Sequence, residues 1–321
     1  MTELSSVERA LLAGEDAGSG AVARYAGALV DWPTLWARER SASDWLCEPI
    51  LPRARAVSTF SKAKAGKSLL AFDVAARLAT GLRVLDRPTS ERVTVLYVDL
   101  EMTEDDVHER LEEMGFKSGD DLSRLVYYLL PSLPPLDTPE GGRDLCELAR
   151  AHDAALVVID TTTTATTGRE NDSDTIRDYW RHTGRPLKTD GRTVWRLDHA
   201  GKDVDRGQRG SSAKDGDVDV VWELTAREGS ALRLRATHRR LGWVPERVDL
   251  VRMDDRDGLR HEIATESYPA GTADVVRLLD ELGVPLDASQ RGARAQLREA
   301  SRSASNDVLM AALRYRRNGA S

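Results

Sequence analysis

The chain has 321 residues, a formal net charge of −7 and 40% hydrophobic residues. This length fits one large domain with appendages, and the charge excludes a protein coated in basic residues, although a local basic stripe could still bind phosphates. No run approaches the ~18 apolar residues of a membrane helix and no signal pattern opens the sequence, so we expect no membrane partner and a cytoplasmic location. Cys47 and Cys146 lie far apart and indicate neither a zinc site nor a disulfide framework.

Residues 1–50 form an N-terminal arm of mixed composition. A helix is predicted near residues 7–13, followed by the break AGSGA and by Trp32, Trp36 and Trp45. These tryptophans fit anchors that pack the arm onto the core better than platforms that stack a ligand.

From Arg55 onward, strands alternate with helices. The strand RAVSTF precedes the helix KSLLAFDVAARLATG, and VTVLYVDL precedes TEDDVHERLEEMG, where Thr103 and Asp106 predict a capping box. The alternation continues through LVYYLLP, EGGRDLCELARAHD, ALVVIDT, DSDTIRDYWRHTGRPLK, RTVWRLDH and VDVVWELT, then gives way to alternating β-type sequence over residues 231–253. This order predicts an α/β fold with a buried, mainly parallel, twisted sheet flanked by helices.

The segment FSKAKAGKSLL, residues 60–70, ends in GKS between a predicted strand and a predicted helix. In a phosphate-binding loop, backbone N–H groups surround the phosphates, a lysine reaches the β and γ oxygens, and a hydroxyl holds Mg²⁺. The alternative is a surface loop with a chance GKS, a common tripeptide. Ser61 and Lys64 stand at positions that often carry glycine, so the backbone of Ser61 must be one that a non-glycine residue tolerates. The residues predicted to bind nucleotide are Ser61, Lys62, Ala63, Lys64, Ala65, Gly66, Lys67, Ser68 and Leu69.

Two carboxylates supply the chemistry that such a loop needs. Asp160 ends the apolar strand ALVVID and, with Ser68, is predicted to hold Mg²⁺, although aspartate after a strand is also a common turn residue. Asp99 and Glu101 end VTVLYVDLE and, two residues apart, are expected on one face. Glu101 could polarise an attacking water, or it could simply cap the next helix.

These motifs together resemble the RecA-like P-loop ATPases of the hexameric helicase group, in particular the RepA-like and DnaB-like helicases. The segment VDLEMTEDDVHERLEEMG resembles their strand-end glutamate segment, which implies that Glu101 is the catalytic glutamate. VVIDT is similar to their Walker B strand and implies that role for Asp160. RLDHAGKD resembles the motif whose histidine senses the γ-phosphate, which implies that role for His199.

The resemblance also names two arginines. RGSSAKDGDVDVVWEL implies a catalytic role for Arg209, and ATHRRLGW implies that Arg239 is an arginine finger donated to a neighbouring subunit. It covers roughly residues 50–252 and implies a RecA-like ATPase core with the cofactors ATP and Mg²⁺. Its further implications are a hexameric ring, a single-stranded DNA partner, and a helicase or translocase in replication or recombination.

We therefore expect three regions: an arm at 1–50, an ATPase core at 51–252 and a small helical region at 253–321. The alternative to a helicase is a non-translocating RecA-like ATP switch or assembly factor. A small-molecule kinase would need a substrate lid, and the sequence has no recognisable one. The basic loop 200–217 is either a DNA contact or a solvated loop, since four aspartates offset its charge. The arginine-rich C-terminal helices form either a winged-helix-like module that contacts DNA or a bundle that closes the core or contacts a neighbouring subunit.

Overall fold

The computed structural model describes residues 25–37, 44–89, 91–168, 173–199, 218–227, 229–264 and 272–318. The chain divides into two compact units, Met1–Leu46 and Cys47–Ser321. The helix predicted near residues 7–13 and the loop 200–217 with Arg209 lie outside the described residues. In the first unit, a 3₁₀ turn at Ala26–Ala28 precedes the short helix α1 (Trp32–Ala37).

The second unit is built on a large sheet. The strands of the chain are β1 (Trp45–Cys47), β2 (Leu51–Pro52), β3 (Ala56–Ser61), β4 (Val95–Asp99), β5 (Leu125–Leu129), β6 (Leu156–Asp160), β7 (Thr193–His199), β8 (Val220–Ala226), β9 (Ala231–Arg239), β10 (Arg247–Asp255) and β11 (Gly258–Ile263). Among the described residues, nine of them form one sheet in the order β11-β10-β9-β8-β3-β7-β6-β4-β5. The six strands from β8 to β5 run parallel, while β9, β10 and β11 are antiparallel. The predicted mainly parallel α/β sheet is confirmed.

Helices cover both faces of this sheet. The helices of the described residues are α1 (Trp32–Ala37), α2 (Lys67–Thr80), α3 (Glu104–Glu113), α4 (Pro139–Ala151), α5 (Thr162–Ala165), α6 (Ser173–Tyr179), α7 (Arg185–Thr189), α8 (Thr272–Glu281), α9 (Gln290–Glu299) and α10 (Asn306–Asn318), with a π turn at Trp180–Gly184 between α6 and α7. On one face the Phe72 ring of α2 meets the rings of Tyr97 and Tyr127. On the other face, residues of α4 and α7 pack with Leu96 and Val98 of β4 in a shared core.

Helix α2 forms where apolar residues recur at helical spacing, and Leu70, Val74 and Leu78 are all buried. It ends at Gly81, whose φ of 77° is a left-handed cap that glycine adopts without steric cost. Helix α3 begins at Thr103 with the predicted capping box to Asp106. The glycine that was predicted to end α2 and the capping box that was predicted to begin α3 are thus both confirmed.

The sheet extends beyond residue 252, to Ile263 at the end of β11. This edge strand packs back against the loop helix α2. Asp73 of α2 accepts hydrogen bonds from the His261 backbone N–H at 2.7 Å and from Arg77 Nε at 2.5 Å, and its Oδ2 lies 2.9 Å from His261 Nδ1. Asp73 and His261 are both buried. The last strand of the sheet is therefore fastened to the helix that begins at the phosphate-binding loop.

Candidate functional site

The phosphate-binding loop lies between the end of β3 and the start of α2. Gly66, directly before α2, has a φ of 93°, and Lys64 has a φ of 62°. A left-handed backbone at a non-glycine residue costs roughly 1–2 kcal/mol, so the strain in this loop falls on Lys64. Ser61 is an ordinary buried residue of β3 without a positive φ. Glycine often occupies this position in phosphate-binding loops. Serine is tolerated here because Ser61 still belongs to strand β3, whose backbone any residue can adopt.

Lys67, Ser68 and Asp160 come together at the start of α2. Ser68 Oγ donates a hydrogen bond to Asp160 Oδ1 at 3.0 Å, and Lys67 Nζ lies 3.6 Å from the same oxygen. Lys67 and Asp160 are both buried. Burial raises the pKa of Asp160, while the charge of Lys67 and the hydrogen bonds from Tyr97 and Ser68 oppose that rise. The Ser68 hydroxyl and the Lys67 ammonium thus both contact the same oxygen of the Asp160 carboxylate.

Two stacked tyrosines support the acidic side of the site. The rings of Tyr97 on β4 and Tyr127 on β5 lie 4.9 Å apart with an angle of 8° between their planes. Tyr97 donates to Asp160 Oδ2 at 2.8 Å, and Tyr127 donates to Asp99 Oδ2. Burial and the nearby carboxylates raise the pKa of both phenols. Each tyrosine therefore stays a neutral hydrogen-bond donor that fixes one carboxylate.

Asp99 and Glu101 do not share a face, contrary to the expectation from their spacing. Asp99 is buried and its Oδ1 accepts the backbone N–H groups of Glu101 and Met102 at 2.8 and 2.9 Å. Strand β4 ends at Asp99, so the two-residue period does not extend to Glu101. The Glu101 side chain is 44% exposed. Asp99 thus shapes the turn that presents Glu101.

Glu101 faces the ends of β6 and β7. Its Oε1 accepts a hydrogen bond from Thr161 Oγ1 at 3.0 Å and lies 3.8 Å from His199 Nε2. Thr161 follows Asp160 through a cis peptide bond. The cap of helix α3 is Thr103, so Glu101 does not serve as that cap. Its carboxylate is left open to solvent between a hydroxyl and an imidazole.

The sheet register explains why these residues meet. Ser61 at the end of β3 pairs with His199 on β7, and Asp160 pairs with Asp99 on β4. Strand β7 lies between β3 and β6, and His199 lies two residues beyond Leu197, the β7 residue that is level with Asp160. Ligands of parallel α/β sheets bind at the carboxyl ends of the strands, and all of these residues lie at that edge.

A cavity of about 310 Å³ opens beside the loop, between residues 60–65 and residues 223–226 of β8. Its volume is at the lower end of the range of ligand pockets. Glu223 lines this cavity and is paired with Arg235 of β9 at 2.6 Å. This pairing neutralises a carboxylate that would otherwise repel a polyphosphate ligand.

The two predicted trans-acting arginines are not part of this cluster. Arg239 pairs across the strands with Val220, whereas Leu224 of the same strand is level with Ser61. Four residues of strand separate these levels, about 13 Å at the usual rise. Arg239 donates to the Val244 carbonyl at 2.7 Å and to Glu246. It therefore has no contact with the loop of its own chain, and Arg209 lies outside the described residues.

Sequence reasoning missed Tyr97, Tyr127 and the pair Asp73–His261. Tyr97 lies two residues before Asp99 on a strand, so its face was readable from the period of two. Asp73 is a lone acid in the apolar run LLAFDVAARLA, a pattern that signals a buried carboxylate in need of a partner. No comparable signal identifies His261 as that partner.

Comparison with known proteins identifies one family. A family profile described as an AAA domain (AAA_25) matches residues 23–205, more than half of the chain. No curated protein matches the sequence at a significant level. Within the part of the chain that the structure describes, no helix is both long and apolar enough to cross a membrane.

Proposed function

The chain belongs to the AAA domain family of P-loop ATPases, and from this premise we propose that it is a ring-forming ATP-hydrolysing motor of the RepA-like and DnaB-like helicase type, stimulated by single-stranded DNA. The observation that carries the proposal is the joint position of Lys67, Ser68, Asp160 and Glu101 at one edge of the sheet. Nucleotide binding alone would need only the loop. A separate, solvent-accessible carboxylate beside it supports hydrolysis.

The loop and the start of α2 would bind the phosphates. Backbone N–H groups and the helix N-terminus attract anions there, and Lys67 adds a full positive charge. Ser68 Oγ and Asp160 would hold Mg²⁺, because hydroxyl and carboxylate oxygens are ligands that this ion prefers and the two lie 3.0 Å apart. Mg²⁺, when bound, neutralises charge that develops on the phosphates. The cavity beside residues 223–226 would take the nucleoside.

Glu101 would orient and deprotonate the attacking water. Thr161 donates a hydrogen bond to its carboxylate and His199 lies 3.8 Å away, which holds Oε1 at the ends of β6 and β7. His199 ends β7, beside Ser61, and residues 200–217 follow it directly in the sequence. A histidine in this position would respond to the presence or loss of the γ-phosphate and would shift residues 200–217, the segment that we assign to DNA contact.

The ring supplies the remaining positive charge. Arg239 would act in trans, since it lies about 13 Å along the sheet from its own loop at the usual strand rise. To do so it would exchange its present partner, Glu246, for a phosphate on the neighbouring subunit. Arg209 keeps the catalytic role that the resemblance implies.

The test measures ATP hydrolysis with and without single-stranded DNA, together with particle size in a non-hydrolysable nucleotide. We expect DNA to raise the rate, its affinity to fall steeply with salt, and nucleotide to favour a ring-sized particle. The Lys67→Ala variant is the control for contaminating ATPase. A rate that no DNA or RNA changes would overturn the helicase assignment, and nucleotide-dependent oligomers without DNA affinity would favour the assembly switch.

A further inference from the structure

We propose that the three C-terminal helices carry a second DNA-binding surface, in which a row of exposed arginines on and after α9 contacts the backbone of duplex DNA. This α9 arginine row consists of Arg291, Arg298 and Arg302. It lies outside the nucleotide site and outside residues 200–217, to which the proposed motor's single-stranded DNA contact is assigned. The surface is thus an additional activity of the chain.

Helices α8, α9 and α10 form a bundle with its own apolar core. Leu279 of α8, Leu297 of α9 and Leu309 of α10 are at most 1% exposed and pack in one cluster. The inward face of α9 is Ala293 and Leu297, which leaves the opposite face to solvent. A bundle that buries its apolar residues internally frees α9 for contact with a partner.

The spacing of the row places its charges on one side of α9. Arg291 and Arg298 are seven residues apart, two helical turns, and Arg302 follows after the end of the helix. All three are exposed, and α9 contains one acidic residue, Glu299. The row therefore forms a short positive strip about as long as the helix, or roughly 15 Å.

Among the described side chains, the arginines of this row have no carboxylate partner, whereas several other exposed arginines do. Arg83 pairs with Asp86 at 3.0 Å, and Arg177 pairs with Asp174 at 2.8 Å. Leaving aside the side chains that the structure does not describe, no carboxylate oxygen lies within 4.0 Å of a nitrogen of the α9 arginine row. On a chain of net charge −7, this strip is an unneutralised site for phosphate.

The bundle holds the row in a fixed orientation. Arg294, on the same helix, donates to Asn306 Oδ1 at 2.5 Å and so fastens the turn between α9 and α10. Arg316 of α10 donates to Asp280 of α8 at 2.7 Å and to the Val284 carbonyl at 2.7 Å. Because these contacts fix the three helices to one another, little ordering cost remains for binding.

Duplex DNA fits this surface better than other nucleic acids. A helix displayed by a three-helix bundle matches the major groove of B-DNA, about 12 Å wide. The major groove of duplex RNA is too narrow for side chains to read. Proteins that bind single strands use aromatic side chains as stacking platforms, and α9 has the aromatic-free sequence QRGARAQLRE.

The test is fluorescence anisotropy of the full chain with a labelled DNA duplex, without nucleotide. The variant R291A/R298A is compared with R83A/R177A, which removes the same charge from arginines that already have partners. We expect R291A/R298A to bind more weakly and the slope of log K against log salt to fall by about 2, with the control close to the original protein. R291K/R298K should keep the salt slope.

An unchanged affinity and slope in R291A/R298A would overturn the proposal, as would an equal loss in the control. A loss of affinity for duplex RNA or single-stranded DNA in R291A/R298A that equals the loss for duplex DNA would also overturn it. Thermal unfolding and DNA-free ATPase rates of the variants should match those of the original protein, because both arginines are exposed and neither is among the residues assigned to the nucleotide site. Since binding is measured without nucleotide, its failure is separate from a failure of the motor assignment.

Discussion

Removing the Tyr97 hydroxyl tests how Asp160 is positioned for Mg²⁺. The phenol donates to Asp160 Oδ2 at 2.8 Å, and both side chains are buried. A hydrogen bond to a charged group contributes about 1.5–3 kcal/mol. Because each 1.4 kcal/mol is about tenfold, Tyr97→Phe should weaken Mg²⁺ binding by about 10- to 100-fold. Phenylalanine keeps the ring that stacks on Tyr127, so the fold should be preserved.

The assay follows ATP hydrolysis against Mg²⁺ concentration at fixed ATP, and Mn²⁺ binding without turnover. We expect the Mg²⁺ concentration for half-maximal rate to rise and Mn²⁺ affinity to fall together. The matched control is Tyr128→Phe, which removes a hydroxyl 3.0 Å from His152 Nε2 and away from Asp160. An unchanged metal dependence in Tyr97→Phe, or an equal change in the control, would refute the reasoning.

Three further predictions concern the loop, the buried acid of α2 and the thiols. Lys67→Ala should abolish hydrolysis, whereas Glu101→Gln should bind ATP without turnover; retained turnover in the glutamine variant would remove Glu101 from the mechanism. Asp73→Asn should lower the free energy of unfolding in urea by about 3–5 kcal/mol, because it leaves Arg77 with an unpaired charge; a loss under 1 kcal/mol, taken as roughly that of a surface pair, would contradict this. Burial raises the pKa of the Cys47 and Cys146 thiols, so the reactive thiolate fraction at pH 8 is reduced; both should react with a thiol reagent only after unfolding, and fast native labelling would show otherwise.

The fold was largely predictable because its signals are local. Alternating apolar strands and capped helices predicted β3 to β8 and α2 to α4. Strands β3, β4 and β6 and helices α2 and α4 bury the apolar residues that mark them, whereas α3 forms from its capping box with none of its own residues buried. Strand β11 was missed because GLRHEI is short and lies beyond the β-type stretch at 231–253. Its placement depends on pairing with β10 and packing on α2, which are long-range contacts that no local pattern encodes.

The residues of the candidate site that belong to sequence motifs could be predicted, whereas those that join it through contacts between strands could not. Lys67, Ser68 and Asp160 were assigned from the sequence, and the structure brings them together. The roles of these three residues stay predictions, as do those of Glu101, His199, Arg209 and Arg239. The donor from Tyr97 was missed because a tyrosine within an apolar strand resembles an ordinary core residue until the neighbouring strand is known.

Asp73 and His261 are 188 residues apart in the sequence. Their contact can therefore form only late in synthesis, after residue 261 has been added to the chain. Helix α2 leaves the ribosome early, but its buried acid has no imidazole partner until β11 follows. At a synthesis rate of about 5–20 residues per second, this interval is about 10–40 s. A fragment that ends at residue 205, where the family match stops, would contain Lys67, Ser68 and Asp160 yet leave Asp73 without His261. The nascent chain thus carries Lys67, Ser68 and Asp160 well before the strand that steadies helix α2 exists.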